Sequence, residues 1–210
     1  MRSILHNTSA GRHGSWHSLV AAAVGLCVTL PGAHLAATAE PAPSPQVSVS
    51  EERGTYAVTA RFEVPQPPDV VLTVLSDYER IPRFMPDVRS SVVLERTPEH
   101  VLVEQEAVSQ FMMFSKTVHL LLEVRREENA IRFVDRSARS FERYAGTWKV
   151  EARGEGSVVT YQLAARPSFE VPGFILRRLL KRDSGEMIGN LRREFAARAD
   201  RPAAATVEVL

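Results

Sequence analysis

The sequence predicts an α+β domain in which a curved antiparallel sheet of about seven strands wraps around one long C-terminal helix. Three observations favour this fold. Alternating apolar and polar residues recur over most of the chain, turn-like residues separate the alternating segments, and one long amphipathic segment precedes the C-terminus. Two short helices are expected between the first strand and the rest of the sheet.

The first elements follow from alternation and from proline positions. Residues Tyr56–Val64 alternate and predict the first strand, which the prolines at 65, 67 and 68 end. Pro68 and Asp69 are typical of a first helical turn, because proline tolerates that position and an acid favours the positive end of the helix dipole. Ser76-Asp77 is then expected to cap a second short helix, which the prolines at 82 and 86 interrupt.

Six further strands and one long helix complete the pattern. Short turns separate these strands, which indicates antiparallel pairing of neighbours. The strands are predicted at Val88–Arg96, Val101–Val108, Lys116–Arg125, Ile131–Asp135, Thr147–Ala152 and Val158–Ala164. The helix is predicted from Gly173 to about Arg198, with an apolar side formed by Leu176, Leu180, Met187, Ile188, Leu191 and Phe195.

Two glycines, Gly185 and Gly189, lie in the middle of this helix. Each costs roughly 1 kcal/mol relative to alanine. We therefore expect close packing, a kink or room for a ligand at this point.

The N-terminal segment has the pattern of a secretory signal peptide. Residues 1–39 contain Arg2 and Arg12 but no acid, an apolar run at Leu19–Leu30, and the small residues Ala37-Thr38-Ala39. Cleavage is expected after Ala39, with export to the periplasm. An uncleaved anchor is the alternative, although the run is shorter than the roughly 20 residues of a membrane span. A lipid anchor on Cys27 is a weaker alternative, because Leu26 precedes it.

The remaining chain is expected to divide into three parts. Residues 40–53 are rich in proline and serine and predict a flexible linker. Residues 54–198 form the domain, and residues 199–210 form a loose C-terminal tail.

Composition excludes several classes of protein. The 210 residues carry a formal net charge of +1, which does not favour a nucleic-acid partner, and the single cysteine cannot form a disulfide framework or a cysteine-rich zinc site. Beyond the leader only His100 and His119 remain, so a multi-histidine metal site is not expected. Phosphate-binding glycine motifs are missing, and neither a metal nor a cofactor is predicted.

The element order resembles a known family. The segment SDYERIPRFMP after the first helix and GTWKVEARGEGSVVTYQL before the last one resemble the START-like (SRPBCC) superfamily, in particular the branch of polyketide cyclases/dehydrases and coenzyme-Q-binding START proteins. The resemblance covers about residues 54–198. It implies the helix-grip fold, with a cavity between the sheet and the last helix that accepts apolar or polycyclic molecules.

The strand alternation identifies the side chains that face this interior. Most are aliphatic, and the polar candidates are Gln105, Asp135, Trp148 and Tyr161. They either orient a ligand or fill a closed core with their polar groups bonded to the backbone. The candidate cavity residues are Val103, Gln105, Val118, Leu120, Leu122, Phe133, Trp148, Tyr161, Leu180, Met187 and Leu191.

Two surface features have more than one interpretation. Phe111, Met112, Met113 and Phe114 lie near a predicted hairpin and are expected to pack on the long helix, to gate the cavity or to contact a bilayer. The second feature is a basic cluster at the start of the long helix. Its members are either a solvated face or contacts for anionic lipid headgroups, and they are Arg177, Arg178, Lys181 and Arg182.

These observations favour an exported, monomeric protein that binds or carries an apolar molecule such as a quinone, an isoprenoid or a lipid, and that touches a membrane peripherally. No catalytic residue is assigned, since alternation places His119 on the outer face and His100 in a turn. An enzyme of the cyclase/dehydratase type is the first alternative, and it would need a proton-transfer group such as Tyr144, Tyr161, Asp135 or His119. A ligand-free envelope interaction module with a packed interior is the second.

Overall fold

The computed structural model describes residues 44–111 and 114–199. The predicted leader, and the predicted tail beyond Ala199, lie outside the described residues. In chain order the elements are β1 Gln46–Glu52, β2 Thr55–Val64, α1 Pro68–Leu75, a 3-10 turn Tyr78–Arg80, α2 Ile81–Phe84, β3 Val88–Arg96, β4 Val101–Phe111, β5 Phe114–Arg126, β6 Ala130–Asp135, β7 Phe141–Arg153, β8 Gly156–Pro167 and α3 Gly173–Ala199.

The strands form one antiparallel sheet in the order β1-β2-β8-β7-β6-β5-β4-β3. The sheet is open and curved, and α3 lies against its inner face, so the predicted α+β helix-grip architecture is confirmed. Within the described residues no helix is both long enough and apolar enough to cross a membrane.

The expectation of a flexible linker at 40–53 is wrong for its second half. Residues 46–52 form β1, which pairs with β2 from Gln46 opposite Arg61 to Glu52 opposite Thr55. Val47 and Val49 pack against the core, whereas Gln46, Ser48 and Ser50 beside them are exposed. β1 is therefore an edge strand that contributes only two apolar side chains to the core. With β1 the sheet has eight strands instead of the predicted seven or so.

The two short helices lie where the prolines predict them. Pro68 occupies the start of α1 and Asp69 its first turn, and the buried side contains Val71, Leu72 and Val74. Asp77 precedes the 3-10 turn, but its side chain makes no capping hydrogen bond. Its carboxylate instead accepts a hydrogen bond from Nη2 of Arg198 at 2.6 Å, which fixes this turn to the C-terminal end of α3.

α3 is one continuous helix whose two halves have different surroundings. In the C-terminal half, Ile188 and Phe195 are buried and form the packed part of the core with β2 and α1. In the N-terminal half, the inward side chains border an open space. A Cβ on Gly185 would meet nothing within 4 Å, so close packing is excluded there, and the helix continues through both glycines without a break.

Candidate ligand-binding cavity

A cavity of about 720 Å³ lies between the inner face of the sheet and the N-terminal half of α3. α1, the 3-10 turn and α2 close one side of it. Its volume is in the range of small-molecule sites, and its wall is largely aliphatic and aromatic, as in most such sites. The interior of this domain is therefore not fully packed at this end.

All eleven residues that the sequence assigns to the cavity line it. Strand alternation succeeds because successive side chains point to opposite faces of a strand, and only the inner face borders the cavity. Their contact with a ligand stays a prediction. The eleven are Val103, Gln105, Val118, Leu120, Leu122, Phe133, Trp148, Tyr161, Leu180, Met187 and Leu191.

The structure adds residues that sequence reasoning did not assign to the cavity. The short helices contribute one group, which the apolar sides of these segments would have indicated. This group consists of Val74, Leu75, Tyr78, Ile81, Phe84 and Met85. Phe141 and Tyr144 also line the cavity, from the first half of β7, which starts six residues earlier than the Thr147 that alternation predicts.

Aromatic side chains form one wall of the cavity. Trp148 and Tyr161 lie 4.3 Å apart between ring centroids, Phe141 and Tyr144 lie 4.9 Å apart, and Phe133 lies between the two pairs at 5.9 Å from Tyr144 and 6.4 Å from Tyr161. These five side chains come from β6, β7 and β8, and we call them the aromatic wall. Strands β4 and β5 and helix α3 contribute mainly aliphatic side chains, so the cavity is chemically two-sided.

Gly146 makes room for the centre of the aromatic wall. It pairs with Phe133 across the β6–β7 ladder, and the Phe133 ring covers it. A Cβ at this position would overlap the Gln162 carbonyl oxygen and lie 2.5 Å from Cζ of Phe133. The glycine is therefore required for the Phe133 ring to lie close to the sheet, at only 18° to the Tyr161 ring.

Tyr144 and Tyr161 are the two phenols of this wall, one on each side of Phe133. Tyr161 is buried, while Tyr144 is partly accessible because it borders the cavity. Burial raises the pKa of both phenols, and that of Tyr161 is well above its ordinary value. Both hydroxyls therefore remain protonated at neutral pH and act as hydrogen-bonding groups.

Asp135 lies on the inner side of β6, opposite Leu122, as alternation predicts, but it is not among the residues that line the cavity. Its Oδ1 accepts hydrogen bonds from the backbone N–H of Leu121 at 2.8 Å and from the backbone and hydroxyl of Ser137. The carboxylate thus holds the turn that follows β6. Its negative charge still acts on Tyr144 and adds to the rise of that phenol's pKa.

A second polar group faces the cavity from the opposite side. Nε2 of Gln105 donates a hydrogen bond to Oγ of Ser91 at 3.0 Å, and Ser91 is buried on β3. Because the amide group is held by this bond, its orientation in the cavity is fixed. Gln105 and the tyrosine pair are separated by the aliphatic side chains of β4 and β5.

Charged and polar side chains surround the mouth of the cavity. Asp183 on α3 accepts a hydrogen bond from Oγ of Ser109 at 2.9 Å, which ties the helix to β4. Lys116 lies 4.8 Å from the centre of the Phe169 ring, in the segment that leads into α3. With Asp87 and Glu170, these residues give the apolar cavity a polar rim.

The predicted basic cluster is exposed at the start of α3, and two of its four members lie close to acidic residues. Arg182 binds Asp183 at 2.7 Å, and Arg177 lies 4.0 Å from Glu51. Arg178 and Lys181 are exposed on the side of α3 that faces away from the cavity. Phe174 lies on the same side one turn earlier, and 75% of its surface is exposed.

The apolar hairpin segment is only partly described. β4 ends at Phe111 and β5 begins at Phe114, and these two residues pair with each other. Met112 and Met113 lie outside the described residues. A gate or membrane contact formed by Phe111, Met112, Met113 and Phe114 stays a prediction.

Neither described histidine faces the cavity. Nδ1 of His119 lies 3.6 Å from Oε2 of Glu106 on the outer face of the sheet, as alternation predicts. His100 bonds to Thr97 in the turn between β3 and β4. Across residues 44–111 and 114–199, no three metal-binding side chains come together.

Comparison with known proteins gives one family match and several similar structures. Residues 64–192 match the family model described as polyketide cyclase / dehydrase and lipid transport. No curated protein sequence matches the chain. The chain is similar in fold to a STAR-related lipid transfer protein from Xanthomonas axonopodis, with 19% identity, a TM-score of 0.61, and coverage of 75% of this chain and 97% of that one.

Two other solved structures show the range of proteins with this fold. A protein from Thermus thermophilus is 26% identical, with a TM-score of 0.60 and coverage of 69% of this chain and 99% of that one. An aromatase/cyclase from a Streptomyces species is 16% identical, with a TM-score of 0.57 and coverage of 71% and 98%. The shared fold thus includes both a lipid-transfer protein and an enzyme.

Proposed function

Because the chain belongs to the polyketide cyclase/dehydrase and lipid-transport family, and START-like folds of this kind fit a hydrophobic ligand, we propose that it is an exported carrier of an apolar small molecule. The ligand is a quinone, an isoprenoid or a lipid. The observation that carries this proposal is the apolar cavity of about 720 Å³ under α3.

Binding in such a cavity is a partition process. Apolar surface that leaves water gains about 25 cal/mol per Å², and the cavity walls already have their folded shape. The cost is the lost freedom of the ligand, which is estimated at about 4 kcal/mol or more. A ligand with a large apolar surface is therefore bound, whereas a small polar metabolite is not.

The test is native mass spectrometry of the protein purified from its own envelope, followed by titration with fatty acids and quinones. A bound apolar molecule and saturable binding are expected. Leu120→Trp fills the cavity from β5 and should abolish binding. Leu121→Trp is the matched control, because this neighbouring residue points to the outer face. The proposal fails if both variants bind like the original protein or if nothing binds.

The enzyme alternative has less support. It requires a proton-transfer group in the cavity, for which the sequence offers four candidates. His119 lies on the outer face and Asp135 does not line the cavity, so only Tyr144 and Tyr161 remain. The ligand-free alternative requires a packed interior, which this end of the domain does not have. Carriage is therefore the function that these observations support best.

Export to the periplasm is supported by the acid-free N-terminal segment with its apolar run at Leu19–Leu30. Sequencing the N-terminus of the protein from a periplasmic extract tests it, and a chain that starts after Ala39 is expected. The same native mass spectrum measures stoichiometry, for which a monomer is expected. An intact N-terminus in the cytoplasmic fraction would contradict this part of the proposal.

Peripheral membrane contact is the last part of the proposal. Phe174, Arg178 and Lys181 follow one another on the exposed side of α3, directly behind the helix face that covers the cavity. An exposed aromatic ring next to two cations fits an anionic bilayer, where each basic group contributes about 1 kcal/mol. The protein would then load and release its ligand at the membrane.

Co-sedimentation with vesicles tests this contact. Binding to phosphatidylglycerol vesicles and not to pure phosphatidylcholine vesicles is expected, and Arg178→Glu with Lys181→Glu should remove it. Arg61→Glu with Lys149→Glu makes the same change in charge on the outer face of the sheet and should still bind. Equal loss in both double variants would show a general charge effect and refute the proposed surface.

A further inference from the structure

We propose that a groove on the outer face of the sheet binds an acidic, extended segment of a partner protein. The groove has a volume of about 480 Å³ and crosses strands β2, β8, β7 and β6. The cavity lies under the opposite face of the same sheet. The inference therefore goes beyond the carrier function and does not depend on it.

The floor of the groove consists of two rows of outward side chains without charge. In the first row Ala164 lies between Ala57 and Ala145, its partners on the neighbouring strands, so three methyl groups are side by side. The second row adds hydroxyl and amide groups, which can hydrogen-bond to a peptide backbone. Because the methyl row contains no longer side chain, the backbone of a partner can come close to the sheet there. The second row consists of Thr59, Gln162 and Thr147.

Arginines border this floor on both sides, and none of the described residues that line the groove is acidic. Arg132 ends the second row on β6, where it already binds Glu127 at 2.6 Å. Arg143 lies on the other side of the methyl row, beside Arg166, which binds Glu142 at 2.8 Å. Arg143 itself is exposed, and within residues 44–111 and 114–199 no carboxylate pairs with it. This distribution of charge is complementary to an acidic partner.

The spacing of the two arginines determines the form of the partner. Arg143 and Thr147, which pairs with Arg132, are four residues apart along β7, or about 13 Å at 3.3 Å per residue, and the methyl row lies midway. Consecutive side chains of an extended chain point to opposite sides. A chain that lies along the methyl row therefore directs two consecutive carboxylates toward the two arginines. The expected motif is a pair of adjacent acids between small residues.

Other anionic partners fit this groove less well. A polynucleotide gains its affinity from many phosphate contacts, whereas the groove is lined by two arginines, of which Arg132 is already paired. A bilayer presents its headgroups as a surface, and the methyl row lies between longer arginine side chains. An extended acidic peptide uses the floor and both arginines at once.

The experiment is an NMR titration of the isotope-labelled full-length protein with two peptides. The first is acetyl-Ala-Ala-Glu-Glu-Ala-Ala-amide, and in the second both glutamates are replaced by glutamine. The acidic peptide should shift amide signals of β2, β7 and β8 saturably and bind about fivefold more tightly than the neutral one, as expected for exposed ion pairs. Arg143→Glu should weaken binding of the acidic peptide about tenfold, because an attraction becomes a repulsion. Arg89→Glu is the matched control, because Arg89 is an exposed arginine on β3, at the far edge of the sheet.

A second pair of variants tests the shape of the groove. Ala164→Tyr fills the floor and should abolish binding of the acidic peptide, whereas Thr160→Tyr adds the same side chain to the same face of β8 outside the groove and should leave binding unchanged. Missing saturable shifts, equal binding of the two peptides, or equal loss in Arg143→Glu and Arg89→Glu overturns the inference. Unchanged binding in Ala164→Tyr overturns it as well. An equal response of the same signals to inorganic phosphate or to phosphatidylglycerol vesicles would indicate a general anion site and also refute it. The carrier function stands in each case, because its test concerns the opposite face of the sheet.

Discussion

The same substitution, glycine to alanine, should have opposite effects at two positions of this domain. At Gly146 the added methyl group would overlap the Gln162 carbonyl oxygen and lie 2.5 Å from the Phe133 ring. The carbonyl belongs to the neighbouring strand β8 and cannot move without breaking the ladder. At Gly185 the methyl group would meet no atom within 4 Å.

The expected magnitudes follow from these surroundings. Overpacking typically costs about 1–3 kcal/mol, so Gly146→Ala should lower the free energy of unfolding by about 2 kcal/mol. Alanine is better than glycine inside a helix by about 0.8–1.0 kcal/mol, and nothing at Gly185 opposes that gain. For a domain of this size 1 kcal/mol corresponds to about 2–4 °C. The Tm should therefore fall by about 6 °C in the first variant and rise by about 3 °C in the second.

Urea unfolding followed by circular dichroism measures both changes. Gly154→Ala serves as a control for backbone conformation, because Gly154 has open space but a φ of +57°, which should cost about 1–2 kcal/mol without any clash. A Gly146→Ala variant as stable as the original protein would refute the packing argument for the aromatic wall. A destabilised Gly185→Ala variant would show that this glycine has a contact or conformation that the structure does not contain.

Three further outcomes can be checked in the same way. Hydrogen bonds from Arg136 and Arg125 lower the pKa of Glu123 from 4.5 to about 2, so its contribution to stability is present above pH 4.5 and is lost as the pH falls toward 2. Urea titrations at about pH 6 and about pH 3 measure how much the free energy of unfolding falls in acid, and this fall should be smaller in Glu123→Gln than in the original protein. An equal fall in both proteins would contradict the ion-pair argument. The raised pKa values of Tyr144 and Tyr161 predict phenols that ionise late in an alkaline absorbance titration, and stability should fall as the pH rises beyond 10. A titration of Tyr144→Phe that still contains the same number of late phenols would disprove this assignment. Arg198→Ala should lower the free energy of unfolding by about 2 kcal/mol, because the largely buried Arg198 guanidinium donates hydrogen bonds to both Asp77 and Glu194. Arg193 is exposed, and Arg193→Ala should change the free energy of unfolding by less than about 0.5 kcal/mol. Equal effects of the two substitutions would refute the anchoring role of Arg198.

The inner face of the sheet could be predicted because it depends on a local rule. Val118, Leu120 and Leu122 alternate with polar or outward residues along β5, and any strand that has one buried face must place them together. The same rule placed His119 outside. Prediction succeeded wherever the period of two is unbroken and the strand is long.

The first half of β7 shows where that rule fails. The pairing of β7 with β8 shifts register between Phe141 and Arg143, which is the mark of a β-bulge. Because of this extra residue, Phe141 and Tyr144 both face the cavity, although their spacing of three places them on opposite faces of a regular strand. Alternation therefore identifies Phe133, Trp148 and Tyr161 of the aromatic wall but not the other two residues. It does not reveal the role of Gly146 either, because Phe133, the residue that packs on it, lies on a different strand.

β1 was missed for a different reason. Its residues alternate over a short stretch only, and they follow a segment rich in proline and serine. An edge strand needs partners on one side alone, so it buries few side chains and leaves a weak apolar pattern. What makes residues 46–52 a strand is the edge of β2, the next strand along the chain, whose backbone groups pair with it after the turn at Arg53-Gly54.

The order of strands in the sheet has a consequence for how the chain folds. In the described sheet every pairing joins sequence neighbours except that of β2 with β8, which brings Val64 opposite Ser157 and closes a loop of roughly 90 residues at a considerable entropic cost. The hairpins from β3 to β8 can form early from local contacts, whereas this closure has to wait until β8 exists. α3 follows β8 in the chain and lies against β1 and β2, so its docking also brings the two ends of the domain together. The space beneath α3 is thus completed late in folding, when both ends of the domain have met.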